Sequence, residues 1–580
     1  MNAIVPATEW ILDYNAEAFR QDLVSGLTVA LVLIPQSMAY AQLAGLPPYY
    51  GLYASFLPPV IAVLFGSSRQ LSTGPVAVVS MMTAAALEPM AVTGSQGYIA
   101  YAVLLALLVG IIQFGLGLLR LGVVVNLLSH PVLLGFTNAA SIVIATSQLG
   151  SFLGVPVEKA PHHFETVWRT FEAALDYVYW PTIAFSAGAL GIMLFLKWWK
   201  PRLPYVLIAV SATTLISWAI DYGHDRKVPV DRIECRQLPQ LVKSFNDQLL
   251  TIETFTHTRS KLRPRVEFLR KNVQRPCSRC HPGRESSFES LENGSLGLLK
   301  PGDGARMDPE KILALHIMAG VIDEFIEDAK NKLVNLRARL MEYEFVAVKQ
   351  PDGTLRYFRR YKVPYGADTD WKVWRIRVRN RPIDPGAVVL AGGGAVVGTI
   401  PRGLPAFSLP YWDADVARKL LPSAFVIALV GFMEAISIAK VMAARSGQKL
   451  DANQELVGQG LANVAGTFFQ GFAVSGSFSR SAVNFESGAK TGISSVIASA
   501  VVVLAMLFLT PLLYHLPQSV LAAVIMVAVA GLINVRDVRH TFQVSRSDGV
   551  ICIITFATTL AFAPHLDRGV ILGVVLSLAV

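Results

Sequence analysis

Apolar runs long enough to cross the hydrocarbon core of a bilayer, roughly 20 residues each, recur along this chain. They fall near 24–45, 49–66, 97–119, 127–153, 180–199, 205–221, 415–440, 493–514, 516–534 and 549–564. Shorter runs interrupted by Gly, Pro or Ser lie near 73–90, 455–472 and 476–490, and a last run extends from Gly569 to Val580. A chain built this way is expected to be an all-α polytopic membrane protein of 14 segments, seven before a polar stretch and seven after it. Two interrupted segments hold matching places, third in each half. Broken segments at corresponding positions point to an inverted repeat with a binding site at the midplane.

Charge is confined in the same pattern. Only 16% of residues are charged and 53% are hydrophobic, with a mean hydropathy of +0.46. Between His224 and Asp384 lie 31 of the 51 Lys and Arg and 22 of the 41 Asp and Glu. The sequence pI near 9.3 therefore describes this stretch and gives no reason to expect a nucleic-acid partner. The expected division is residues 1–223 as a first transmembrane repeat, 224–386 as a polar soluble module, and 387–580 as a second repeat with its last span cut short. Glu9, Asp13 and Glu17 near the start argue against a cleavable signal peptide.

Loop charges set the orientation. With the N-terminus inside, thirteen basic residues, Arg20, Arg69, Arg120, Lys440 and Arg445 among them, fall at cytoplasmic ends. Six (Lys159, Arg169, Arg402, Arg418, Lys419 and Arg568) fall opposite. This positive-inside bias places a multi-pass chain in the cell inner membrane, N-terminus cytoplasmic, and the 224–386 module on the outer side. That module reads as α+β. Asp308-Pro309-Glu310 caps a long amphipathic helix, Pro351-Asp352-Gly353 turns between two strands, and Trp371 to Arg379 suggests a third.

Arg480 is the basic residue placed inside a membrane segment, within Gly476-Ser477-Phe478-Ser479-Arg480-Ser481-Ala482-Val483-Asn484. A charge there is costly and marks function by default. The surrounding Ser and Gly suit a helix start, whose free amides and positive dipole end bind anions. Ser72-Thr73-Gly74-Pro75-Val76-Ala77 opens a second short helix, with Pro75 expected at its first position. Two helix starts and one guanidinium make an anion trap that includes Ala77, Ser479 and Arg480; the alternative for Arg480 is snorkelling or a structural pair. Glu434 is read as the one carboxylate embedded in an apolar span and as the proton-coupling group, with a permanent salt bridge to Arg480 as the alternative. Gln36 and Tyr40, four apart on one helix face, offer neutral donors to an oxyanion or, alternatively, join helices.

Leu33-Ile34-Pro35-Gln36-Ser37-Met38-Ala39-Tyr40, Pro47-Pro48-Tyr49-Tyr50-Gly51-Leu52-Tyr53 and the run from Gly476 to Asn484 resemble the SulP anion permeases. The resemblance covers 24–80, 127–155, 394–410 and 421–495. It implies a seven-plus-seven inverted repeat of the uracil-permease type, with substrate between the third and tenth spans. It also implies an anion site lined by Gln36, Tyr40, Ser479 and Arg480, and proton coupling at Glu434. The expected activity is proton-coupled sulfate uptake without enzymatic turnover, in a chain that forms a homodimer. A bicarbonate or other anion exchanger is the alternative within the family. A nucleobase permease is disfavoured by Arg480. The chain departs from the family in the 224–386 insertion and in carrying no STAS domain up to Val580.

Within the insertion, Cys277-Ser278-Arg279-Cys280-His281 fits the C-x-x-C-H pattern of c-type haem attachment. Met307, His316 or His257 would supply the second axial ligand. The alternatives are a zinc site with Cys235, a redox-labile disulfide or a chance match. On the haem reading the chain would be a membrane-anchored electron-transfer protein; transport itself is expected to need no cofactor and no metal.

Overall fold

The computed structural model of the chain describes residues 6–579 apart from 12–13, 92, 123–129, 156, 158–159, 161, 177–179, 201–203, 274–308, 370–371, 379–381 and 564–565. Seven of its helices are long and apolar enough to cross a membrane: Ala16–Leu43, Gln96–Leu118, Pro131–Leu153, Trp180–Trp199, Ala414–Ser446, Ile493–Tyr514 and Gln518–Val544. Shorter apolar helices occupy Tyr49–Phe65, Ala77–Leu87, Tyr205–Ala219 and Arg568–Ser577. Further helices run over Ala452–Thr467, Phe478–Glu486 and Arg546–Ala561. Each apolar run marked in the sequence thus carries helix, in a mostly helical polytopic membrane protein.

Local chemistry sets several of the helix starts. Asp413 accepts from the amides of Asp415 and Val416, Asp451 from those of Asn453 and Gln454, and Asn15 from that of Ala18. Each satisfies first-turn amides that have no partner inside the helix. Gly447, at φ 70°, closes the Ala414–Ser446 helix in the left-handed conformation that glycine adopts without strain.

Small residues and polar clamps join the helices. A Cβ on Gly460 would lie 2.4 Å from the Phe114 amide nitrogen, so the Ala452–Thr467 and Gln96–Leu118 helices meet backbone to backbone, as small residues allow in a membrane. Asp22 is fully buried and accepts from the amides of Lys490 (2.7 Å) and Thr491 (3.1 Å). The Ser25 hydroxyl donates to the Asn484 carbonyl at 2.8 Å. These contacts fasten the first long helix to the Phe478–Glu486 helix and to the chain just after it.

Eight strands are described: β1 (Thr73–Gly74), β2 (Asp225–Val228), β3 (Ile233–Glu234), β4 (Glu344–Lys349), β5 (Leu355–Arg359), β6 (Trp374–Ile376), β7 (Val388–Ala391) and β8 (Ser475–Gly476). β1 and β8 pair with each other. The others form one sheet in the order β2-β7-β6-β4-β5-β3, antiparallel except for β3 on β5. Its edge strands β2 and β3 are nearly consecutive in sequence. From Val228 to Ile233 the chain can stretch at most about 18 Å, whereas six flat strands would span about 24 Å. The sheet must therefore curl. Trp374, Tyr357 and Phe345 are buried in it, and the Tyr357 and Trp374 rings meet edge to face at 5.7 Å.

The chain resolves into two compact units, Lys243–Arg337 and the remainder. The smaller holds most of the Leu238–Val273 and Pro309–Glu342 helices; β2 to β7 belong to the larger. The predicted Asp308 cap lies outside the described residues. The third predicted strand is shorter than expected, three residues from Trp374 to Ile376.

Candidate functional site

Two residues of β1 meet two of β8, Thr73 opposite Gly476 and Gly74 opposite Ser475. Both strands run into short helices, Ala77–Leu87 and Phe478–Glu486. An antiparallel pair sends its chains out at opposite ends, so the two helix starts flank the four-residue ladder. Val76 and Ser477, the residues before these helices, are extended, and neither side chain caps the first-turn amides. Both starts thus keep the donors and the positive dipole end that favour an anion. Pro75 does not open its helix as expected. Pairing of Gly74 holds the chain extended through Val76, and helix begins only at Ala77.

The freed Pro75 carbonyl accepts instead from Nη1 of Arg480, at 2.9 Å. Arg480 is 0% exposed. Its Nη2 lies 3.1 Å from where a Cβ on Gly74 would sit, so any larger residue there would crowd the guanidinium. Nε and Nη2 have no hydrogen-bond partner among the described residues. A buried cation with unused donors is costly unless an anion engages it.

The other predicted residues gather with uneven closeness. Gln36 and Tyr40 are buried one turn apart on the Ala16–Leu43 helix, and Gln36 Oε1 has no partner among the described residues. Tyr40 lies within electrostatic range of both Arg480 and Glu434, as Glu434 does of Arg480. Among the described residues no ion pair joins Glu434 to Arg480, and Glu434 Oε2 is buried without a partner. The permanent salt bridge weighed above is absent from this arrangement. Ala77 is buried at its helix start. Ser479 is half-buried, 3.5 Å from the Ser477 hydroxyl, and no hydrogen bond links it or Gln36 to Arg480.

Glu434, itself half-buried, is not the one embedded carboxylate that the sequence suggests: Glu455 and Asp22 are buried. Glu455 Oε2 accepts from the Ser67 and Ser68 amides, each at 3.0 Å. Its helix also carries buried Gln459 and Asn463. The signal was present as a spacing of four, Glu455, Gln459, Asn463, on one helix face.

Cys277, Cys280, His281 and Met307 lie outside the described residues, as do the side chains of His257 and His316. Cys235 is half-buried with a free thiol. Among the described residues no group of three or more His, Cys, Asp or Glu is placed to hold a metal.

A model described as the Sulfate permease family matches residues 19–263 and 387–555. The chloroplastic sulfate transporter 4.1 of Arabidopsis thaliana is 32% identical over the whole chain, which covers 61% of that relative. A probable sulfate transporter of Mycobacterium tuberculosis is 28% identical over 99% of the chain and 72% of its own length. The chain thus spans about three fifths of the length of the plant relative. Among solved structures, the murine Solute Carrier 26 family member A9 anion transporter covers 99% of the chain and is itself covered over 70%, with TM-score 0.64 and 19% identity. The transmembrane domain of a cyanobacterial bicarbonate transporter, BicA, covers 97% of the chain and is covered over 98%, at 0.57 and 18%. These two likenesses concern the fold.

Proposed function

Since this chain belongs to the sulfate permease family, we propose that it is a secondary active carrier of a small inorganic anion, most directly sulfate taken up with protons. The observation that carries the reading is Arg480, buried between two helix starts with two of its guanidinium nitrogens unpartnered. An oxyanion placed there meets a full charge, a planar fork of donors and two dipole ends. Gln36, Tyr40, Ala77 and Ser479 line the same site. Glu434, near Arg480 without pairing to it, takes the proton: anion and proton then enter one site as a less charged pair. The 14 segments form a seven-plus-seven inverted repeat, a reading supported by a two-residue strand followed by a short helix in both halves. The carrier works as a homodimer, with the N-terminus cytoplasmic and residues 224–386 on the outer side of the inner membrane. Bicarbonate, another small oxyanion that the same guanidinium fork and helix starts can hold, is the second reading.

Binding of labelled sulfate to the purified protein tests the site. Arg480→Ala should abolish it, because each remaining helix end offers only about half a charge. Arg480→Lys should restore little, lacking the planar fork. Unchanged affinity in the alanine variant would remove Arg480 from the site.

A further inference from the structure

The Arg480 site depends on where β1 and β8 lie relative to one another, because each feeds a helix start directly. Four residues with two pairings are a slight support for that task. The Ser475 hydroxyl ties β8 to the Gly431 carbonyl and the Ser477 amide donates to the Ser72 carbonyl, and the Ala452–Thr467 helix, whose Glu455, Gln459 and Asn463 are all buried on one face, braces both strands.

Each side chain holds a different segment. Glu455 Oε2 binds the Ser67 and Ser68 amides that lead into β1. The Gln459 amide nitrogen donates to the Thr73 hydroxyl of β1 at 2.8 Å and to Glu455 Oε1 at 3.2 Å. Asn463 grips Val474, the residue before β8, on both sides: it accepts from the Val474 amide at 2.8 Å and donates to its carbonyl at 3.1 Å. Asn463 also donates to Gln113 at 2.9 Å, and Gln113 donates in turn to the Ala428 carbonyl on the Glu434 helix at 3.2 Å. One helix face thereby reaches both strands and the element that bears Glu434.

We propose that Gln459, at the centre of this ladder, is a positioning residue that sets the separation of the two helix starts and so the fit of the anion to Arg480. The proposal rests on reading the surroundings of Arg480 as the anion site. Buried polar contacts of this kind fix one geometry where each donor meets an acceptor, as the Gln459 amide nitrogen does, while Gln459 Oε1 has no hydrogen-bond partner among the described residues. Glu455 supplies acceptors and Gln459 the donor. Exchanging the two roles keeps the match; changing one alone breaks it.

The test measures the apparent KM and maximal rate for labelled sulfate in proteoliposomes of the full chain, beside thermal stability. Glu455→Gln and Gln459→Glu should each raise KM about tenfold, the scale of one mismatched buried hydrogen bond, with the maximal rate per folded molecule retained. The double variant should return KM to within about twofold of the parent, as expected for directly coupled partners. Thr73→Val, which keeps the β-branched strand residue while removing the hydroxyl, should raise KM in the same way even if the charged singles fold poorly. An unchanged KM in Thr73→Val, or a double variant no better than its singles, overturns the proposal. Arg480→Ala in the same assay separates the two levels: if it leaves sulfate uptake intact, the anion-site reading itself has failed.

Discussion

Arg480 and Glu434 stand out in the sequence because each is a lone charge in an apolar run, and desolvation makes such a residue conspicuous in lipid. Glu455 does not stand out. It lies near the start of a run rich in Gly, Gln and Asn, and its partners Ser67 and Ser68 are nearly 400 positions away, 388 and 387 residues distant. The spacing of four through Gln459 and Asn463 marks a polar helix face, but it does not reveal which distant amides satisfy the carboxylate. The structure also separates what the sequence left joined, since Glu434 lies near Arg480 yet forms no ion pair with it among the described residues. If Glu434 carries the proton, Glu434→Gln, which mimics the protonated carboxyl, should still exchange sulfate for sulfate. It should lose uptake driven by an inward proton gradient. Intact gradient-driven accumulation in that variant would place the coupling elsewhere.

At the scale of elements, the helices and the strands β4, β5 and β6 of the polar sheet were legible, and the two-residue strands β1 and β8 were not. Apolar run length locates a spanning helix. A two-residue strand such as β1 has no periodicity to read, and its partner β8 lies some 400 residues along the chain. The polar sheet was legible where turn chemistry was strong: Asp352 accepts from the Thr354 amide at 2.9 Å, between β4 and β5. Its order and curl follow from pairings between distant strands. Glu344 begins β4 and lies between Arg375 (2.5 Å) and Arg360 (3.0 Å). Partial burial pushes its carboxyl up, but hydrogen bonds and charge from the two arginines outweigh this and hold it below its ordinary value. The stabilisation is therefore present above the unfolded carboxyl pKa, about 4.3, and is lost as pH falls through the lower folded value. Amide hydrogen exchange, corrected for its intrinsic pH dependence, should show β4 and β6 losing protection below about pH 4. In Glu344→Gln the two strands should be less protected at neutral pH and change little on acidification. Equal pH dependence in both proteins would mean that the two arginines do not couple to the sheet through Glu344.

For the molecule as a whole, charge sets the polar stretch apart from the apolar runs along the sequence, but the pairing at its two ends could not be read there. β2 and β7 pair from Asp225 opposite Ala391 to Val228 opposite Val388. Below that pair, the Gly392 amide donates to the His224 carbonyl and the Gly394 amide to the Tyr222 carbonyl. The two ends of the polar stretch are therefore adjacent strands, about 5 Å apart. A short Gly/Ser turn should replace residues 226–390 with little strain, since closing a loop across paired ends costs little and grows slowly with length. Sulfate uptake should survive this deletion. Loss of all uptake from correctly inserted protein would make the polar stretch part of the carrier.

The central claim, an anion carried through a site built on Arg480, is tested most directly by counterflow. Proteoliposomes containing the full chain are loaded with unlabelled sulfate and diluted into a trace of labelled sulfate. A carrier that exposes one site alternately to either side should accumulate label transiently above its equilibrium level, and Arg480→Ala should show none. Label that only equilibrates in the parent protein, or counterflow of equal size in Arg480→Ala, would contradict the account.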